Sequence, residues 1–255
     1  YQAPGALGLN SLDPFCTKVE VFLQLAQLPF STRSVALGSA YPRVDDQGTT
    51  VIGSGPILEH CRLVYGRDLD VEQTPSQRMV AHSMLRMLEH HLEPVWRYAR
   101  WVDEAGWREL RAALSGRHWA PKMALMRRKK GRGLRREGWL PFAPDAIYAR
   151  GVSDLDALAD GLEATDAYLL GDGPMTVDVV LHAVLAHCRR LPSGNPLARA
   201  VRRRASLERF IGRMDESLGA SARKRAAECG CAGSVWSCRR GAVAARTRPR
   251  LLRRS

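Results

Sequence analysis

No stretch of the 255-residue sequence is apolar over the ~20 residues that a membrane-spanning helix needs. The longest candidate, VDVVLHAVLAHC at 177–188, is interrupted by Asp178, His182 and His187. The opening YQAPGALGL has neither a basic segment nor a long apolar one, so no signal peptide is expected there. The cysteines lack a disulfide framework. Cys16, Cys61 and Cys188 lie far apart, and Cys229, Cys231 and Cys238 form a C-x-C-x6-C group with no histidine beyond His187 to complete a zinc site. A reducing, cytoplasmic setting and no metal are therefore expected. Acidic residues are nearly missing from two segments: residues 122–136 carry eight Lys or Arg and no acid, and residues 220–255 carry ten against Glu228 alone. The net charge of +13 is thus concentrated in one short segment and one tail over a mildly acidic body. A basic DNA-binding domain is not built that way, and neither a nucleic-acid nor a membrane partner is expected. KKGRGLRREG at 129–138 lacks the spacing of a phosphate-binding loop and reads as a basic helix face or linker.

What is present is periodicity. Asp13 and Pro14 are an N-cap and first helical residue, and apolar residues at helical spacing follow to Leu28. PFSTRSVAL at 29–37 alternates like a strand, PRVDDQGTTVIG at 42–53 reads as a hairpin, and SGPILEHCRLVYG at 54–66 returns to a helix. From Gln73 the pattern is helical only: a long helix that Pro94 should kink, then helices near 105–116, 121–137, 144–164, 176–191 and 196–218. The expected organisation is an α/β domain over 1–66, an all-helical domain over 76–218 joined through polar GRDLDVEQTPS, and a disordered basic tail over 219–255.

Four stretches in order carry a resemblance: PFCTKVE at 14–20, RMLEHHLEPVWRYARWVDEAGW at 86–107, IYARGVSDLDALADGL at 147–162 and YLLGDGPMTVD at 168–178. The chain resembles the glutathione S-transferase superfamily, in the bacterial branch similar to failed-axon-connections and metaxin-like proteins. The resemblance implies a thioredoxin-like N-terminal domain plus an all-α C-terminal domain, with glutathione as co-substrate. It also implies that Pro42 is the cis-proline before the third strand, that Pro42, Val44 and Ser54 bind glutathione, and that a hydrophobic electrophile sits between the domains near Trp96 and Trp101. A homodimer is possible on the same grounds. The chain departs from the pattern at Gly53, where an acid belongs, in a shortened segment before Tyr41, at Met175 in place of a helix-capping Thr or Ser, and at 137–142, where an Arg-His pair is missing.

Cys16 and Ser11 are the catalytic candidates. A thiol on the first turn of a helix is drawn toward thiolate by the amides and dipole, whereas Asp13 opposes this, and cysteine is also a common buried residue. Ser11 could donate a hydroxyl to the glutathione sulfur. His90 and His91 point about 100° apart on a helix and cannot chelate together. Three functions are carried forward: conjugation of glutathione to a hydrophobic electrophile, a non-catalytic metaxin-like interaction scaffold, and thiol-disulfide exchange through Cys16.

Overall fold

The computed structural model describes residues 1–114, 120–165 and 167–229. Helix α1 (Pro14–Leu25) starts where its cap dictates, with the Asp13 carboxylate accepting from the Phe15 and Cys16 amides at 2.9 and 3.2 Å. Strands β1 (Arg43–Asp46) and β2 (Thr49–Ile52) pair antiparallel with Val44 opposite Val51. Between them Gln47 and Gly48 both take positive φ, 46° and 86°, as a two-residue hairpin turn requires. The sheet extends by short crossings: Tyr1 and Arg43 exchange main-chain bonds of 2.6 and 3.2 Å, and Gln2 bridges Ser34 in parallel. The strand expected over 29–37 is reduced to that one bridge, Gln2 with Ser34. Helix α2 (Ser54–Tyr65) ends on left-handed Gly66.

The remainder is helical. Helix α3 (Pro75–Met87) opens on a capping box between Thr74 and Gln77. The kink expected at Pro94 is resolved differently: α4 (Glu93–Arg97) lies between two π-helical stretches, Leu88–Leu92 and Tyr98–Val102. Proline lacks the amide and crowds the carbonyl four residues back, and a wider turn relieves both. Then come α5 (Glu104–Ala113), α6 (Ala120–Arg136), α7 (Pro144–Thr165), α8 (Thr176–Arg189), α9 (Pro196–Arg203) and α10 (Ala205–Cys229). The single helix expected over 196–218 is broken at extended Arg204. Helix α10 runs ten residues past Gly219, into the segment read as tail, because SARKRAAEC is rich in strong helix formers. Residues 230–255 lie outside the described residues. Among the described residues no helix is long and apolar enough to cross a membrane.

Helix α1 joins the two parts. It packs on α2 on one side and on α8 and α10 on the other. Lys18 donates to Glu89 at 2.7 Å, and Thr17 Oγ1 lies 3.0 Å from His187 Nε2. Met175 offers α8 no side-chain cap, and the linker compensates: the Asp70 carboxylate accepts from the Thr176 amide at 2.9 Å. Buried Asp178 accepts from the Leu169 and Met175 amides, both at 2.9 Å.

Gly106 in the DEAGW stretch fixes how α5 crosses the preceding π-helical stretch. A Cβ there would stand 1.9 Å from the Ala99 carbonyl oxygen, a main-chain atom that cannot rotate away. Gly106→Ala is expected to destabilise the chain by roughly 3 kcal/mol or more through overpacking against backbone. A urea midpoint unchanged from wild type would show the crossing to be more yielding than this.

Candidate functional site

The α1 entrance is built around Asp13. Because its carboxylate takes the first-turn amides, little of the helix end remains for Cys16. The thiol is 3% exposed and Ser11 is fully buried. The Ala3 amide and the Ser11 hydroxyl hydrogen-bond toward the sulfur, which favours thiolate, but burial first and the Asp13 charge second outweigh them and push the thiol up to about 12. The activation that a helix N-terminus would confer is therefore reversed here, and Cys16 packs as a neutral thiol. Ser11 also accepts the Asp13 amide at 3.3 Å, so its hydroxyl is engaged on both sides.

The second half of the site lies at Pro42. The Tyr41–Pro42 peptide is cis, and the Pro42 carbonyl accepts the Gly53 amide at 2.9 Å, tying this turn to the start of α2. Ser54 is half-buried at that start, and no side chain caps the helix. The Tyr41 N–H and C=O make no hydrogen bond among the described residues. Sequence reading pointed to Pro42 and passed over Tyr41, although the residue preceding a cis-proline is the one whose backbone is turned outward. The Tyr41 phenol lies near Asp13 and Cys16, and burial with those two groups raises its pKa. The structure thus brings Ser11, Cys16 and Tyr41 to one place and Pro42 and Ser54 to its edge. Val44 pairs with Val51 and, together with Pro42, lines a cleft of about 770 Å³ between α1, α2 and the hairpin. Cys16 lines that cleft, with Val19, Leu23, Arg33, Arg43 and Cys61 among the other walls, whereas Ser11 and Ser54 do not. The Tyr41–Pro42 turn, with its unpaired Tyr41 main chain, is joined through the Pro42–Gly53 bond to the uncapped start of α2.

Trp96 and Trp101, around which the electrophile site was expected, are themselves each 3% exposed. Trp96 stands edge-on to His187 at 5.2 Å, and burial beside Arg100 pushes that imidazole down to about 3, so it is neutral. Trp101 packs with Trp107, Met123 and Met126 against Ala3, Leu12 and Leu37. Gly53, where an acid was expected, has φ 96° and ψ 143°, a conformation natural only to glycine. His90 and His91 bond apart, to Arg86 at 3.0 Å and to Asp154 at 2.5 Å. Among the described residues no three His, Cys, Asp or Glu side chains are grouped to hold a metal.

A thioredoxin-like unit with a cis-proline, followed by helices packed on its first helix, is the build of a glutathione transferase. Residues 14–106 match the family model described as the glutathione S-transferase N-terminal domain. It is 27% identical over 204 residues to isoprene-epoxide–glutathione S-transferase of Rhodococcus sp., covering 73% of this chain and 84% of that one. It is 30% identical over 212 residues to Failed axon connections of Drosophila melanogaster, covering 75% of this chain and half of that protein's length. The fold is shared with a glutathione transferase from Phanerochaete chrysosporium (TM-score 0.60, 16% identity, 85% of this chain and 95% of that one). It is shared too with a glutathione S-transferase from Ceriporiopsis subvermispora in complex with glutathione (TM-score 0.54, 17% identity, 82% and 91%).

The raised Cys16 pKa has a direct readout. A rise from 9.0 to about 12 removes all but about a thousandth of the thiolate present in an unperturbed thiol at neutral pH. Alkylation mapped by mass spectrometry should accordingly label Cys16 about a thousandfold more slowly in the native chain than in urea. Comparable labelling in both states would contradict the buried, neutral thiol.

Proposed function

We propose that the chain binds glutathione at the Tyr41–Pro42 turn and the start of α2 and conjugates it to a small hydrophobic electrophile, the thiol losing its proton as its sulfur bonds to the electrophilic carbon, and the leaving or ring-opened oxygen taking a proton up. The observation that carries this reading is the unpaired Tyr41 main chain beside cis-Pro42, a turn that the Pro42–Gly53 bond ties to an α2 start no side chain caps. An extended cysteinyl unit has a main-chain donor and acceptor to match Tyr41, and the γ-glutamyl carboxylate suits the Ser54 hydroxyl and the helix amides. In this reading residues 1–66 are the glutathione-binding domain, 76–218 the helical domain, and the setting is cytoplasmic. The similarity to isoprene-epoxide–glutathione S-transferase favours an epoxide as the electrophile. Metal plays no part in the proposed step.

The thiol of glutathione would meet Asp13 rather than a free helix end, so its activation would be modest. That same observation favours a second reading, a non-catalytic scaffold of the kind suggested by the similarity to Failed axon connections. With Ser11 fully buried and Cys16 nearly so, thiol-disulfide exchange through Cys16 is the least supported of the three.

Titration calorimetry with reduced glutathione should give millimolar or tighter binding, weakened about tenfold by Ser54→Ala through loss of one charge-assisted hydrogen bond. Conjugation to a small epoxide should follow at a measurable rate. Heat of binding without conjugation would support the scaffold, and no heat at all would end both glutathione readings. Gly53→Glu is not expected to strengthen binding, because the side chain would be forced onto positive φ at a cost of roughly 1–3 kcal/mol in stability. A tighter Kd at unchanged Tm would refute that.

A further inference from the structure

Helix α6 (Ala120–Arg136) divides cleanly into two faces. Met123, Met126 and Leu134 are buried, and Arg127 turns inward to donate to the Trp101 and Val102 carbonyls at 3.1 and 2.9 Å. On the other side Lys122, Leu125, Arg128, Lys129, Arg132, Arg135 and Arg136 are all exposed. At 100° per residue these seven fall within an arc of about 140°, and from Lys122 to Arg136 they extend about 21 Å along the axis. None of the six cations makes an ion pair with a described acid, whereas Arg97 and Arg127 next to them are matched by Glu137 and Glu104. The helix itself contains no acidic residue. Six unpaired positive charges along one flat face repel one another, and so large a concentration of unmatched charge calls for an anionic counterpart.

From this face we infer that α6 is a peripheral attachment site for anionic phospholipid. Two features favour a lipid surface over a nucleic acid. Leu125 is 60% exposed in the middle of the cationic arc, one turn from Lys122 and from Arg128 and Lys129, where an apolar side chain can enter the acyl boundary while its neighbours meet headgroup phosphates. The cationic face is also turned away from the protein body, because the opposite side of α6 is packed on the π-helical stretch Tyr98–Val102. Attachment of this kind needs no spanning helix, and it revises the expectation of no membrane partner. Since Met126 shares a hydrophobic cluster with Leu37, against which Tyr41 packs, the attached helix adjoins the proposed glutathione site, and a hydrophobic electrophile dissolved in the lipid would be close at hand.

The test is vesicle cosedimentation of the full chain. Phosphatidylcholine vesicles containing phosphatidylserine should carry the protein down, pure phosphatidylcholine should not, and high salt should release it. The triple variant Lys129→Glu, Arg132→Glu, Arg136→Glu should lower partitioning about a hundredfold or more, at about fivefold for each cation lost. It leaves the basic segment 220–255 intact, so the difference reports α6 alone. Its Tm should match wild type because the three side chains are exposed and unpaired. Leu125→Ser should weaken vesicle binding several-fold and leave retention on heparin unchanged, which separates insertion from charge. Equal sedimentation of wild type and triple variant would overturn the inference. So would binding to duplex DNA with no sedimentation on anionic vesicles.

Discussion

The rest of the molecule depends on one mostly buried helix, α1. Of the twelve residues of α1, eight are buried, and they include Lys18 and Glu20 as well as Val19, Val21, Phe22 and Leu23. A surface helix would show one apolar stripe. This one packs on α2 as well as on α8 and α10, so it belongs to the core of both halves. Its charged residues are accepted only because they are matched: Lys18 by Glu89, and Glu20 by the Asn10 side chain at 3.0 Å. Losing either partner would leave a buried group unsatisfied at the junction of the two parts.

That burial sets the chemistry at the α1 entrance. A helix N-terminus favours an anion, and in this chain one is already there in Asp13, whose carboxylate holds the first-turn amides. A second anion on Cys16 would lie in the same poorly solvated space. Neutral thiol is the outcome, and the buried groups around it follow the same rule: burial raises the Asp13 carboxyl and the Tyr41 phenol, and holds His187 neutral. In the proposed reading a ligand is met by main chain and helix end at Tyr41 and Ser54, where hydrogen bonding rather than side-chain ionisation would do the binding.

The helical part shows how a lost local signal is replaced at a distance. Met175 cannot cap α8, yet the first-turn amides are served by Asp178 from within the helix and by Asp70 from the linker. Asp178 is fully buried, and burial raises its carboxyl to about 6 despite the amides it accepts from, so this arrangement stores some electrostatic cost in exchange for fixing the linker against α8. The buried guanidinium of Arg100 works similarly, reaching Glu109 at 2.9 Å and the Arg190 carbonyl across the bundle.

The sequence by itself determined whatever rests on a few neighbouring residues. Asp13-Pro14 sets the start of α1, Thr74 with Gln77 sets that of α3, Gln47-Gly48 sets the hairpin turn, and Gly66 the end of α2; these are local steric and hydrogen-bonding rules that need no distant partner. Pro42 as a cis-proline was reachable only through family resemblance, since its own type says little. Tertiary structure alone decided the rest. Whether Cys16 ionises depends on what covers it, whether Trp96 and Trp101 line a pocket or fill a core depends on α8 and α6, and whether Pro94 bends its helix or widens it depends on what packs against Leu88–Val102. Solvent exclusion and charge proximity are properties of residues far apart in the chain, and no local pattern encodes them.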